Sequence, residues 1–324
     1  MRTSLSLVIP AYNEADRIGV GLKQLMEEVS PDDTEIIVVD DGSTDDTAEE
    51  ARTHLDSWPR HDVVSLSRNR GKGAAVRAGV VRARGEVIAY VDADMATDPR
   101  DLTSLLAALD GNHIAIGSRA HTGSVVHREV HRRVMNRTFG MLVASMTQLP
   151  YMDTQCGFKA FKGSVAKLLF HGNRVDRFAF DVEVLDLAAR LGLRREEVPV
   201  HWIDVAGSHV RPLHDGVQML GDVARFRLMS RFQPPVQGVF MPNVPIESAG
   251  RLIRPSIRCV DLIVEWHGGT AVLFPCLPPT VSHRIARRLH SDFEAWDPTE
   301  LSVEFSALFA PVSTLDGHTP ELVM

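Results

Sequence analysis

Two carboxylates one residue apart, Asp92 and Asp94, end an apolar run in the stretch "GEVIAYVDADMATDP". Residues two apart in a strand face the same side, so both side chains can converge on one point. Two like charges so placed repel unless a cation lies between them. Oxygen ligands with an incomplete shell suit Mg²⁺ or Mn²⁺, which adds water and phosphate oxygens. The alternative is a polar strand end followed by Asp98 as a helix cap, which explains one acid but not three.

The first half of the chain alternates short Val/Ile-rich runs with amphipathic segments, as in "LSLVIP", "EIIVVDD", "DVVSLS" and "HIAIGSR". This alternation predicts an α/β fold with a mostly parallel sheet that helices cover on both faces. Ligands of such sheets bind outside the carboxyl ends of the strands. The predicted rim contains the residues that follow the strands, numbered 10–14, 40–43, 68–73, 92–94 and 117–119.

Two further residues on this rim suit a nucleotide. Tyr12 follows the first strand, and its ring can stack on a base. Asp41 ends the second strand, and its carboxylate can accept hydrogen bonds from a base or from ribose. Each has an ordinary alternative, because Tyr12 can be a packed loop aromatic and Asp41 a turn residue before Gly42.

Composition excludes several classes of protein. The chain has 324 residues and a net charge of -7, so no basic field marks nucleic acid as the main partner. Its three cysteines are too few and too scattered for a disulfide framework or a zinc cluster. No apolar run reaches the roughly 20 residues that cross a bilayer, and the first residues do not form a signal peptide. We expect a cytoplasmic protein, at most peripheral at the cytoplasmic face of a membrane.

Four segments, "VIPAYNE", "VVDDGSTDDT", "NRGKGAAVRAG" and "YVDADMATDP", resemble the successive motifs of the family 2 glycosyltransferases, which have the GT-A fold. The later segments "DTQCGFKAF", "RFAFDVEVL" and "EVPVHWIDVAGSHVRP" are most similar to the dolichyl-phosphate β-glucosyltransferase branch, followed by polyprenyl-phosphate mannosyltransferases. The resemblance implies a GT-A domain over residues 1–233 and leaves 234–324 as a C-terminal extension of unknown role. It also implies inverting transfer of a hexose from UDP-glucose, with GDP-mannose as the alternative donor, to a polyprenyl or dolichyl phosphate.

The resemblance further implies roles for individual residues. Asp92 and Asp94 would hold Mg²⁺ or Mn²⁺. His209 could complete the metal shell, although it stands where the branch commonly has lysine or arginine, and this departure leaves the acceptor open. The residues implied to bind the nucleotide-sugar are Pro10, Tyr12, Glu14, Asp41, Lys72 and Asp92.

Several arginines and one acid are candidates for binding or activating the acceptor. Guanidinium groups near the rim suit an acceptor that bears a phosphate, whereas the alternative is a solvated basic face. Asp181 occupies the position where many family members carry a general base, and the alternative is an acid favoured by the start of a helix. A phosphate monoester, with a second pKa of about 6, can attack without a base, whereas a sugar hydroxyl needs one. The arginines are Arg119, Arg128, Arg132 and Arg133.

Two other functions fit the same motifs. One is a soluble glycosyltransferase that acts on a hydroxyl of a sugar or small metabolite. The other is a protein that binds a nucleotide-sugar without turnover.

Overall fold

A computed structural model describes residues 4–127, 147, 149, 151–190, 193–205, 212–230, 236–241, 262–266, 269–273, 287 and 299–303. The chain divides into two compact units. The first comprises Met1–Ala166, Asn173–Asp186 and Arg194–Met229, and the second comprises Lys167–Gly172, Leu187–Leu193 and Ser230–Met324.

Strands and helices alternate along the first half of the chain, as the hydrophobic pattern predicts. The strands up to residue 203 are β1 (Leu5–Ala11), β2 (Thr34–Asp40), β3 (His61–Ser65), β4 (Val87–Val91), β5 (Ile114–Ser118), β6 (Val125–His127), β7 (Phe158–Lys162), β8 (Arg195–Pro199) and β9 (His201–Ile203). The helices are α1 (Ala15–Glu27), α2 (Thr47–Leu55), α3 (Lys72–Arg82), α4 (Leu102–Ala107), α5 (Gly163–Gly172), α6 (Phe180–Arg190) and α7 (Pro212–Ser230), with a 3-10 turn at Pro99–Asp101.

Seven strands form one sheet in the order β3-β2-β1-β4-β7-β5-β8. The pairs β1/β2, β1/β4, β2/β3 and β5/β8 are parallel, and only β7 runs antiparallel to its neighbours β4 and β5. The predicted α/β fold with a mostly parallel sheet is therefore confirmed. The sequence pattern missed β7, because Lys159 interrupts its short apolar run.

The central strands of the sheet are buried because helices pack against them. Every residue of β1 and β2 is buried, which explains why these strands read as continuous apolar runs. Ile18, Leu22 and Leu25 of α1 belong to the core cluster that covers β1. This packing holds the ends of β1, β2 and β4 in fixed positions.

In the second unit, the described residues form an antiparallel sheet of four strands in the order β11-β12-β10-β13. The domain boundary predicted after residue 233 stays a prediction. Within the described ranges, no helix is both long enough and apolar enough to cross a membrane. The strands are β10 (Val236–Met241), β11 (Leu262–Trp266), β12 (Gly269–Leu273) and β13 (Thr299–Val303).

Candidate active site

The residues that follow β1, β2 and β4 lie at one edge of the sheet. Ala11 is paired with Asp40, and the N–H of Asp41 donates to the carbonyl of Ala11 at 2.8 Å. The register of β1 against β4 pairs Val8 with Tyr90, two residues before Asp92. The loops that begin at residues 12, 41 and 92 therefore start side by side, as the sequence predicted.

Lys72 and Asp92 meet at this edge as an ion pair. The Nζ atom of Lys72, the first residue of α3, lies 2.5 Å from Oδ1 of Asp92. The lysine side chain is 20% exposed and the aspartate 35%. Burial acts to lower the pKa of Lys72, but the charges of Asp92 and Asp181 outweigh it and raise that pKa above its usual value. Lys72 therefore stays cationic at neutral pH.

Asp94 lies beside this pair on the turn after β4. Its Oδ1 accepts a hydrogen bond from the N–H of Ala96 at 3.0 Å, and Met95 between them has a left-handed φ of 47°. Burial and the charge of Asp92 raise the pKa of Asp94. A nearby cation would therefore favour the ionised form of Asp94. In the part of the chain that the structure describes, no cluster of three or more histidine, cysteine or carboxylate side chains could hold a metal.

Asp98, the alternative explanation for this acidic stretch, is a cap. Its carboxylate accepts a hydrogen bond from the N–H of Arg100 at 3.0 Å at the start of the 3-10 turn. That role accounts for Asp98 alone. It does not account for Asp92 and Asp94 at the edge of the sheet.

Asp41 holds the loop that leads into α3. Its two oxygens accept the N–H groups of Arg70, at 2.8 Å, and Gly71, at 2.7 Å. Burial raises the pKa of Asp41, and these two hydrogen bonds oppose that effect. Asp41 thus fixes the backbone just before Lys72, and its predicted contact with a base stays a prediction.

The other residues predicted to bind the donor lie around the end of β1. Pro10 is buried inside the strand, and Tyr12 is half-buried directly after it. Glu14 binds Arg17, whose Nη2 lies 2.8 Å from Oε1 of the glutamate. The hydrogen bonds that Arg17 donates to Glu14, with the charges of Glu14 and Asp94, raise the pKa of Arg17 against the effect of burial. Sequence reasoning missed Arg17, whose only signal is a basic residue in the first turn of α1.

Asp181 is placed differently from a solvent-facing base. Its side chain is 4% exposed, and its Oδ1 accepts hydrogen bonds from Nζ of Lys159 at 2.7 Å and from the hydroxyl of Tyr90. The residue stands in the first turn of α6, in agreement with the alternative interpretation as a helix-start acid. Its predicted role as a base stays a prediction, although its oxygen faces a lysine and a phenol inside the protein.

Gly157 supports Asp92, and sequence reasoning assigned it no role. Its carbonyl accepts the N–H of Asp92 at 3.1 Å. A Cβ atom at this position would overlap the carboxylate of Asp92. Only glycine leaves room for Asp92 here, and the available signal was a glycine just before the short run "FKAF".

Arg119 follows β5 and is bound by Asp153. Its Nε lies 2.6 Å from Oδ2 and its Nη2 lies 2.8 Å from Oδ1 of that carboxylate. Despite burial, the charge of Arg119 and its hydrogen bonds lower the pKa of Asp153 well below its usual range. The guanidinium also lies 5.8 Å from the ring centroid of Trp202. The predicted acceptor residues Arg128, Arg132 and Arg133, and the predicted metal ligand His209, lie outside the described residues.

Comparison with known proteins assigns the family. The profile described as "Glycosyl transferase family 2" matches residues 6–170, which is half of the chain. The chain belongs to glycosyl transferase family 2. This family contains glycosyltransferases, so the protein is an enzyme of that class, and the resemblance inferred from the motifs is confirmed.

Individual relatives and solved structures agree with the assignment. The chain is 35% identical over 240 residues to a dolichyl-phosphate beta-glucosyltransferase of Dictyostelium discoideum, covering 69% of this chain and 73% of the relative. It is 39% identical over 239 residues to the enzyme of that name from Drosophila melanogaster, covering 68% and 73%. Its fold resembles glucosyl-3-phosphoglycerate synthase of Mycobacterium tuberculosis, crystallised with Mn²⁺, UDP-glucose and phosphoglyceric acid. The TM-score is 0.53 at 22% identity, covering 72% of this chain and 83% of the other.

Proposed function

We propose that this protein transfers glucose from UDP-glucose to a dolichyl or other polyprenyl phosphate, with inversion at the anomeric carbon and with Mg²⁺ or Mn²⁺. The observation that carries the proposal is the meeting of Lys72, Asp92 and Asp94 at one edge of the sheet. The chain is 35% and 39% identical to two enzymes named for the transfer of glucose to dolichyl phosphate. A cation and two acids at that edge suit the diphosphate of a nucleotide-sugar donor.

The donor set around Asp92 and Asp94 fits a divalent metal. Both ligands are carboxylate oxygens, which Mg²⁺ and Mn²⁺ prefer. The charge of Asp92 adds to the effect of burial in raising the pKa of Asp94, so a bound cation would relieve repulsion between the two acids. When bound, the ion would neutralise charge that develops on the departing diphosphate. His209 is proposed as a further ligand on the family resemblance alone.

The chain's own residues would hold the rest of the donor. Lys72 is cationic and 20% exposed, so its ammonium can turn from Asp92 to a phosphate oxygen. Asp41 fixes the loop before Lys72 and lies one strand away from Tyr12, whose ring would stack on the base. Pro10 and Glu14 would shape the floor of the same pocket.

An acceptor that already carries charge suits this site. A phosphate monoester has a second pKa of about 6 and is largely ionised at pH 7, so it can attack without a base. This agrees with the burial of Asp181 against Lys159 and Tyr90. We assign attraction of the acceptor phosphate to Arg119, Arg128 and Arg132. The lipid tail would require peripheral contact with a membrane, which we place at the cytoplasmic face.

An assay of transfer tests the proposal. Purified protein is mixed with radiolabelled UDP-glucose and a short polyprenyl phosphate, with Mn²⁺ or with EDTA, and label in the organic phase is counted. We expect transfer that EDTA abolishes and that free polyprenol does not support. Proton NMR of the product should show the β anomer. Transfer only to sugar hydroxyls, or UDP-glucose binding without transfer to any acceptor tested, would refute the proposal.

Variants of the acidic pair extend the test. Loss of one metal ligand weakens the stabilisation of the leaving diphosphate, so Asp94→Asn should lower the transfer rate by about 100-fold or more. Asp110→Asn is the matched control, because Asp110 is exposed in the loop after α4. GDP-mannose in place of UDP-glucose checks the donor. A faster reaction with GDP-mannose would replace glucose by mannose in the proposal.

A further inference from the structure

A fully buried lysine, Lys159, lies in the middle of β7 and has no part in the proposed donor chemistry. Its side chain is 0% exposed, and β7 pairs it with Tyr90 of β4 on one side and Ile116 of β5 on the other. Burying an ammonium group is costly unless it is paired with a charge and hydrogen-bonded. The contacts of Lys159 must therefore offset that cost.

Two oxygen atoms accept hydrogen bonds from the ammonium group of Lys159. Its Nζ donates to Oδ1 of Asp181 at 2.7 Å and to the backbone carbonyl of Cys156 at 2.6 Å. Asp181 also accepts the hydroxyl of Tyr90, whose ring centroid lies 5.5 Å from Nζ. Asp181 neutralises Lys159, and the hydrogen bond to Cys156 extends from this pair to the loop before β7.

That loop touches Asp92. The first residue of β7, Phe158, is paired with Val91, the last residue of β4, so Gly157 lies beside Asp92. The carbonyl of Gly157 accepts the N–H of Asp92 at 3.1 Å, and the Asp92 carboxylate lies where a Cβ of Gly157 would be. The Cys156–Gly157 loop is thus bound by Lys159 on one side and contacts both the backbone and the side chain of Asp92 on the other.

We propose that Lys159, with Asp181 as its counter-ion, is a positioning residue that holds the Cys156–Gly157 loop against Asp92 and so sets where Asp92 presents its carboxylate to the metal-bound donor. The inference rests on the proposed function. It gives Asp181 a role inside the protein that needs no contact with the acceptor. It also explains why a lysine is buried in the strand next to β4.

The test separates positioning from simple stability. In Lys159→Met/Asp181→Asn both charges are removed together, and the side-chain amide introduced in place of the carboxylate keeps an oxygen for the hydroxyl of Tyr90, so no buried charge is left unpaired. The hydrogen bond to Cys156 is lost. UDP binding is measured by calorimetric titration with and without Mn²⁺, and the ratio of the two affinities gives the coupling between metal and nucleotide. The melting temperature is measured on the same samples.

We expect the coupling in the double variant to fall about tenfold or more, while UDP affinity without Mn²⁺ changes less than about twofold. Lys162→Met is the matched control. It makes the same lysine-to-methionine change three residues along β7. Lys162 is paired with Val87, at the opposite end of β4 from Asp92. The control should keep the coupling of the wild-type enzyme.

A folded double variant with unchanged coupling would overturn the proposal. If the double variant does not fold, Lys159→Gln/Asp181→Asn, which also leaves no buried charge unpaired and whose glutamine amide supplies N–H donors, is judged by the same ratio. Failure of both variants to fold would also count against a positioning role, because Lys159 would then act through stability alone. If the wild-type enzyme binds UDP with the same affinity with and without Mn²⁺, the proposed donor site is refuted instead.

Discussion

Adding one methyl group at Gly157 should disable the site without unfolding the protein. In Gly157→Ala the new Cβ would overlap Cγ and both oxygens of the Asp92 carboxylate. Van der Waals separation of about 3.5 Å requires the carboxylate to move by about 1 Å or more. Such a misplacement costs about 100-fold in rate, or about 2.7 kcal/mol of transition-state stabilisation. Because the Asp92 side chain is 35% exposed, it can turn toward solvent, and the fold should survive.

For the wild-type and variant enzymes, we would measure kcat/KM for UDP-glucose at saturating polyprenyl phosphate with Mn²⁺. The melting temperature of each would be measured as well. Gly221→Ala is the control, because Gly221 lies in α7 and a Cβ there would meet nothing within 4 Å. This control should keep full activity and gain about 0.5–1 kcal/mol of stability from the better helix former. A Gly157→Ala enzyme within about threefold of wild type would show that Asp92 need not occupy its place beside Gly157, which would refute the reasoning.

Three further predictions concern single residues. Lys72→Met removes the cation beside Asp92 and should lower kcat/KM for UDP-glucose about tenfold or more, while Lys23→Met on the exposed face of α1 should change nothing. Asp41→Asn leaves one of the two backbone N–H groups of Arg70 and Gly71 without an acceptor. Urea denaturation should therefore show that the free energy of unfolding falls by about 1–3 kcal/mol. A variant as stable as the wild-type protein would contradict the role of this carboxylate. Burial, together with nearby positive charges, lowers the pKa of His113 to about 4, so the unfolded chain takes up this proton more readily. The contribution of the neutral His113 side chain to the free energy of unfolding is fully present above about pH 6.5. It is lost as the pH falls toward 4. The melting temperature of the His113→Asn variant should therefore fall less steeply with falling pH than that of the wild-type protein. Equal slopes of melting temperature against pH for the two proteins would contradict this.

Much of the fold follows from local patterns in the sequence. A strand that is covered on both faces must be apolar at nearly every position, so β1 and β2 appear in the sequence as continuous runs. Parallel strands end at the same edge, so the strand pattern alone predicts that residues 12, 41 and 92 lie close together. The pattern did not predict the antiparallel β7, because Lys159 breaks its apolar run.

The sequence by itself thus determined the alternation of strands and helices in the first half of the chain, and it predicted the edge of the sheet, the acids and the lysine of the proposed donor site. The tertiary structure decided which partner each charge receives. Lys159 and Asp181 are 22 residues apart in the chain, and Arg119 and Asp153 are 34 apart. Hydrophobic periodicity reports which face of an element is buried, but it does not specify which buried charge of another element lies opposite. That choice depends on the packing of strands and helices that are distant in sequence, and it placed Asp181 against a lysine in the interior.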